Sequence, residues 1–167
     1  HLSQGRDEGP LANPSHYFIL VGLLGSFSAG VLACTMVKPG VKPSPFAVKF
    51  TNDWHAPLGG VLIAASAAFG LIGFPLDDVW HRLFGQDVTL WGPTHLLMLA
   101  GASLTLIGQA ILLVEGVRAN ETSGRSGRMS PSGEAVANKI RRGCAAGGIL
   151  VALSIYQGEF DFGIPQF

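Results

Sequence analysis

Four long runs of apolar residues, separated by polar segments, dominate the pattern of hydrophobic and polar positions along the chain. They cover roughly residues 17–37, 57–76, 94–114 and 139–157. Each approaches the length of about 20 residues that a helix needs to cross a hydrocarbon core of about 30 Å. The alternation typical of strands is absent, and a backbone in lipid must satisfy its hydrogen bonds within its own segment. The pattern predicts an all-α, polytopic transmembrane bundle with four spanning helices.

Composition supports a membrane location. Only 13% of the residues are charged and 48% are hydrophobic, whereas soluble domains carry about 25% charged residues. The formal net charge is zero, which excludes a global basic field for nucleic acid. The expected partners are the lipid bilayer and other membrane subunits or further copies of the chain. The chain begins at His1 without a signal-peptide pattern, and we expect it to be a piece of a longer protein.

Lysine and arginine residues concentrate in two linkers between the runs. These linkers carry Lys38, Lys42, Lys49, Arg118, Arg125, Arg128, Lys139, Arg141 and Arg142. Because cytoplasmic loops carry the excess of cations, both linkers are predicted to face the cytoplasm of a bacterium. The tails 1–16 and 158–167 and the connection 77–94 then face outside, so both termini are extracytoplasmic. Residues 118–136, rich in Ser, Gly and Arg, are predicted to form a flexible cytoplasmic loop.

The second run is unusually rich in glycine and alanine. Its small residues lie on several neighbouring stripes: Gly59, Gly60, Ala64, Ala65, Ala67, Ala68, Gly70 and Gly73. Small side chains allow membrane helices to approach each other closely. We therefore predict that this helix lies at the centre of the bundle.

The connection between the second and third runs holds most of the carboxylates and imidazoles that lie near any apolar segment. Pro75 is predicted to interrupt the end of the second helix, and a new helical turn would follow. On that turn Asp77 and His81 are four residues apart and share a face. Asp78 and Arg82 have the same spacing on the adjacent face. We expect Asp78 and Arg82 to form an ion pair and the other two side chains to point elsewhere.

His95 opens the third run, just after Pro93 and Thr94, which suit the start of a helix and a local cap. A short hairpin between antiparallel helices would bring His95 towards His81 and Asp77. Two imidazoles and one carboxylate are a common ligand set for a divalent transition metal, with positions left open for water or substrate. Capping and ion pairing without a metal, and a proton or redox relay, remain open as alternatives.

Further residues of the same connection are predicted to surround such a site. Tryptophan rings at the membrane interface would screen it from bulk water, and charged neighbours would orient the ligands. These residues are Asp78, Trp80, Arg82, Asp87 and Trp91.

The order of residues along the connection resembles a motif of a known family. Asp77, His81 and His95 are accompanied in sequence by Trp80, Asp87, Thr89, Pro93 and Thr94. The C subunit of the copper membrane monooxygenases (particulate methane and ammonia monooxygenases) carries a similar Asp-x3-His-x12-His hairpin; the second gap is one residue longer here. The segment is also similar to one in uncharacterised polytopic membrane proteins of actinobacteria. The monooxygenase resemblance implies copper held by Asp77, His81 and His95.

Two functions follow as hypotheses. The first is an integral membrane metal-binding subunit of an oxygen-activating or oxidoreductase complex, with copper as the leading metal and zinc as the alternative. As an enzyme it would be a copper membrane monooxygenase-like subunit. The second is a structural or accessory subunit of a larger membrane complex, with no chemistry of its own, in which the polar cluster only fixes the hairpin.

The remaining candidate residues are assigned structural roles. His16 is expected to be solvated at the outer boundary, and His55 to anchor the chain at the inner one. Glu115 is expected to mark the end of the third helix. Cys34 and Cys144 are expected to be buried small apolar residues.

Overall fold

The computed structural model describes residues 14–37, 44–85, 91–123 and 131–161. Over these ranges the chain forms four helices: α1 (Pro14–Thr35), α2 (Leu58–Phe84), α3 (Pro93–Ser123) and α4 (Pro131–Asp161). Two short strands, β1 (Val48–Lys49) and β2 (His55–Ala56), form an antiparallel pair between α1 and α2. The predicted all-α class is confirmed.

Three of the helices are long and apolar enough to cross a membrane. The candidate spans are His16–Thr35, Leu58–Phe84 and Pro93–Asn120, so each corresponds to one of the first three predicted runs. Helix α4 is not among them; its apolar stretch is short and lies between basic residues in its first half and polar residues at its end. The fourth crossing therefore stays a prediction.

Helix α2 is longer than its apolar run, which was predicted to end at residue 76. It continues through Pro75 to Phe84, so the predicted interruption is wrong. A proline removes only one backbone donor, here the partner of the Leu71 carbonyl, and such gaps are tolerated in membrane helices. The helix ends at Gly85, whose φ of +86° favours glycine and whose N–H donates to the His81 carbonyl.

The predicted loop 118–136 is helical at both of its ends. Helix α3 continues to Ser123, and α4 begins at Pro131 rather than at residue 139. Proline suits the first position of a helix because its missing N–H would have no intrahelical partner there. Most of the two predicted tails, residues 1–13 and 162–167, lies outside the described ranges.

Helix α2 is the centre of the bundle, as its small residues predict. It packs most extensively against α3 and also against α1, whereas α4 contacts mainly α3. Glycines create the close approaches: a Cβ on Gly30 would lie 2.5 Å from the backbone nitrogen of Ala64, and one on Gly59 would overlap the backbone nitrogen of Leu112. The backbones are therefore packed directly against each other in the middle of the bundle.

The linker between α1 and α2 is anchored to the bundle by an aromatic hairpin. Phe50 and Trp54 stack with their ring centroids 4.7 Å apart, and the Trp54 indole N–H donates to the Cys34 carbonyl at 2.9 Å. Cys34 is buried as expected, but Cys144 is exposed, so the prediction of two buried thiols is only half right; both are free.

Glu115 caps a neighbouring helix instead of ending its own. Its Oε1 accepts a hydrogen bond from the Leu58 N–H at 3.1 Å, and its Oε2 accepts one from the Gly59 N–H at 3.0 Å. These two N–H groups belong to the first turn of α2 and have no intrahelical acceptor. The positive end of the helix dipole further stabilises the carboxylate. The prediction that Glu115 marks the end of α3 is wrong, since α3 continues to Ser123.

We expect Glu115→Ala to lower the free energy of unfolding by about 1–3 kcal/mol, because it leaves the buried Gly59 N–H and the partly buried Leu58 N–H without an acceptor. Glu115→Gln should lose less, since its amide oxygen still accepts one bond. Thermal unfolding in detergent, followed by circular dichroism, measures the change. Glu134→Ala is the control: its bond with Asn120 is exposed, and its loss should cost about 1 kcal/mol or less. Equal stability of the Glu115→Ala and Glu134→Ala variants would contradict the cap.

Candidate metal centre

The end of α2 and the start of α3 carry the predicted ligands. Asp77 and His81 project from the same face of the last two turns of α2, because residues four apart lie above each other on a helix. His95 lies in the first turn of α3. The two helices are antiparallel neighbours with extensive contact, so their facing ends bring the three side chains together.

The three side chains form one cluster around a single carboxylate oxygen. Asp77 Oδ1 lies 3.6 Å from His81 Nε2 and 3.4 Å from His95 Nε2. The two imidazole rings meet edge to face, with centroids 5.9 Å apart and an interplanar angle of 83°. The structure therefore brings together all three residues that the spacing singled out.

Burial makes this cluster electrostatically unusual. Asp77 is 1% exposed, and the side chains of His81 and His95 are 13% and 19% exposed. A carboxylate removed from water is costly unless hydrogen bonds or positive charge compensate it. The Thr94 hydroxyl donates to Asp77 Oδ1 at 2.5 Å, so it supplies one of these interactions.

Thr94 has a role that the sequence did not predict. It was expected to cap its own helix, but its hydroxyl reaches across to α2 and bonds the carboxylate there. This bond fixes the orientation of Asp77 relative to the two imidazoles. Hydrogen bonds from outside a ligand set orient the ligands in metal sites in the same way. Its position directly before the predicted ligand His95 was the one feature of the sequence that could have indicated this role.

The separations fit the donor set of a transition metal. One donor atom from each of Asp77, His81 and His95 can be chosen so that all three lie within 4.8 Å of one another. Donor atoms bound at about 2.1 Å in a tetrahedral site lie about 3.4 Å apart. The two distances to the carboxylate oxygen are close to this value. Among the described residues, no other group of three or more such side chains meets the same distance criterion.

The residues predicted to surround the site make different contacts. Asp78 and Arg82 form the expected ion pair at 2.7 Å, on a more exposed face of α2. Trp80 packs on Phe84 with centroids 4.4 Å apart. These contacts leave the role of Trp80 as a wall of the site a prediction, and Asp87 lies outside the described residues.

Trp91 links the start of α3 to the fourth helix. Its ring lies 6.5 Å from that of Tyr156 in α4, at an interplanar angle of 52°. Tyr156 also shares a hydrogen bond with Ser103 at 3.4 Å. The C-terminal part of α4 is therefore held beside α3 near the candidate site. The role of Trp91 as a wall of that site also stays a prediction.

The other two described histidines are not part of this cluster. His16 is half-buried and packs edge-on against Phe74, with ring centroids 6.2 Å apart. His55 lies in β2, opposite Lys49 in the strand pair. That pair precedes the start of α2, whereas the cluster lies at its end, so His55 is remote from the candidate site.

No protein-family model, no curated protein and no solved structure matches the chain. Its function is therefore inferred from the membrane-type helices and from the cluster of Asp77, His81 and His95.

Proposed function

We propose that the chain is an integral membrane metal-binding subunit that holds one transition-metal ion through Asp77, His81 and His95. The observation that carries the proposal is the convergence of these three donors, from two helices, around one buried carboxylate oxygen. Two neutral imidazoles and one carboxylate suit first-row transition metals better than Mg²⁺ or Ca²⁺, which prefer oxygen ligands alone.

Copper is the metal we propose first, and zinc is the alternative that the same donor set accepts. Support for copper comes from the resemblance to the copper membrane monooxygenases and from the general order of divalent-metal affinities, in which copper ranks highest. A bound copper ion would supply one-electron redox chemistry, consistent with a place in an oxygen-activating or oxidoreductase complex. Asp77 and the two histidines would hold the ion, and Thr94 would orient the carboxylate.

The site is proposed to lie at the outer boundary of a bacterial cytoplasmic membrane. Along α3, His95 and Glu115 are separated by about 30 Å at 1.5 Å per residue, which is close to the thickness of a hydrocarbon core. The Lys and Arg residues of α4 lie towards the Glu115 end, which the positive-inside rule assigns to the cytoplasm. With α4 as a fourth crossing, both termini would face outside.

A structural or accessory role is the second candidate, and one observation favours it. The hydrogen bond between Thr94 and Asp77 already joins α2 to α3, and the two imidazoles adjoin the same oxygen. Such a cluster fixes a helix hairpin without any ion. In this case the exposed apolar faces of the helices would contact lipid and other subunits, and the cluster would have no chemistry of its own.

Metal analysis of the purified protein tests the first proposal. We expect about one copper ion per chain after incubation with copper and removal of the excess, and loss of that ion in His81→Ala and His95→Ala, because each removes one of only three protein donors. His55→Ala is the matched control, since it deletes an imidazole remote from the site. Equal metal content in all four proteins, or none in the wild type, would contradict the proposal.

A further inference from the structure

A groove lies between α3 and α4, away from the candidate metal centre. It has a volume of about 300 Å³ and is lined by Gln109, Leu112, Leu113, Arg141, Cys144 and Ala145. The volume is at the lower end of the range for small-molecule sites. It is therefore suited to part of an elongated ligand, such as one acyl chain.

The lining of this groove has two chemically different parts. Leu112, Leu113 and Ala145 form an apolar wall, and Arg141 adds a cationic group. The helices meet again beyond the groove, where a Cβ on Gly148 would lie 2.9 Å from the Leu106 side chain. This contact closes the groove towards the middle of the bundle, and Arg141 lies at its other end.

The cationic part of the groove belongs to a group of three basic residues of α4. Lys139, Arg141 and Arg142 are all exposed, and no acidic residue occurs in the stretch 135–157 of α4. Among the described residues, Arg141 donates to the amide oxygen of Asn138 at 3.2 Å and forms no ion pair. This group of three cations, here called the α4 basic cluster, lies directly beside an apolar groove.

The depth of the α4 basic cluster matches that of a lipid headgroup. Arg141 faces Leu112 and Leu113 across the groove, and these residues lie close to Glu115, in the second half of α3. Along the helix this is about 27 Å from His95 at 1.5 Å per residue. The three other helices are candidate membrane spans, so lipid is expected to surround the bundle at this depth.

We propose that the groove between α3 and α4 binds one anionic phospholipid of the leaflet on the side of the α4 basic cluster. The phosphate is held by Arg141, the cation that lines the groove, since guanidinium groups form charge-assisted hydrogen bonds with phosphate oxygens. One acyl chain lies along the wall of Leu112, Leu113 and Ala145. The bound lipid fills the gap between two helices that otherwise contact each other only in part. This inference does not depend on metal binding.

Native mass spectrometry of the full chain, released from detergent with equal amounts of phosphatidylglycerol and phosphatidylcholine, tests the proposal. We expect the wild type to retain one phosphatidylglycerol in preference to phosphatidylcholine. Arg141→Gln should lower that preference about fivefold, the effect expected for one cation at a membrane surface. Arg141→Lys should keep much of it. Ala145→Phe should reduce retention of both lipids, because the ring occupies the space of the acyl chain.

Arg82→Gln is the matched control, since it removes a cation of α2 near the opposite end of the bundle. It should leave lipid retention unchanged. Helix content measured by circular dichroism identifies any variant that has unfolded. Ala145→Phe, which should retain less of either lipid, provides the test if Arg141→Gln does not fold. Equal retention in the wild type and in Arg141→Gln would overturn the proposal. Displacement of the lipid by excess inorganic phosphate, or a lipid-free dimer as the dominant species, would also overturn it.

Discussion

Adding copper at a hundred times its dissociation constant is expected to raise the free energy of unfolding of the wild-type chain by about 2.7 kcal/mol. The gain arises because the folded chain presents three donors together, whereas the unfolded chain does not. In Asp77→Asn the same addition should change stability little. The amide retains the volume of the carboxylate and an oxygen that accepts from Thr94, but a neutral amide oxygen is a much weaker ligand for a transition metal than a carboxylate. Thermal unfolding in detergent, with and without copper, measures both values.

The adjacent carboxylate provides the matched control for this experiment. Asp78 lies on the same helix, one position further, and pairs with the exposed Arg82. Asp78→Asn removes the same charge and should cost about 1 kcal/mol or less, while the stabilisation by copper remains. An equal response to copper in the Asp77→Asn variant and the wild type would exclude Asp77 as a ligand. A wild type with no response would leave the structural role as the better account of the cluster.

The features of the site that follow from helical periodicity were predictable from the sequence. A period of 3.6 residues alone places Asp77 beside His81 and Asp78 beside Arg82, and both pairs are found in the structure. The approach of His95 required one further assumption, a tight hairpin between adjacent helices. That assumption holds, since His95 Nε2 lies 3.4 Å from the same Asp77 oxygen that His81 adjoins.

The features that depend on contacts between distant parts of the chain were not predictable. Glu115 accepts its hydrogen bonds from Leu58 and Gly59, which precede it in the chain by 57 and 56 residues. No local sequence pattern predicts such a cap. Pro75 led to a wrong prediction of where α2 ends. The free energy lost with one missing backbone donor is small compared with the free energy gained by packing the whole helix. The end of an apolar run marks where lipid contact ends, and a helix can continue beyond it. This explains why α2, α3 and α4 all extend past their predicted limits.

At Gly101, α3 packs directly against the backbone of α2. A Cβ on Gly101 would lie 2.6 Å from the nitrogen of Gly70, 2.7 Å from the carbonyl oxygen of Ser66 and 2.8 Å from the Cα of Gly70. All three are backbone atoms, so no side-chain rotation relieves the overlap. The only remedy is to move the two helices apart. The alignment of the candidate site therefore depends on the absence of a single methyl group about 9 Å along α3 from His95.

Gly101→Ala is expected to destabilise the chain by about 1–3 kcal/mol, the usual cost of overpacking, and to weaken copper binding by separating His95 from Asp77. Gly116→Ala is the control, since Gly116 lies in the same helix and a Cβ there meets nothing within 4 Å. That substitution should be neutral or stabilising by up to about 1 kcal/mol, because alanine has the higher helix propensity. Unfolding in detergent and copper content are measured for both variants. If Gly101→Ala proves as stable as Gly116→Ala and binds as much copper, the contact between α2 and α3 does not hold the site together. If Gly101→Ala loses copper and stability together while Gly116→Ala loses neither, the geometry of the three donors is set by backbone packing between the helices.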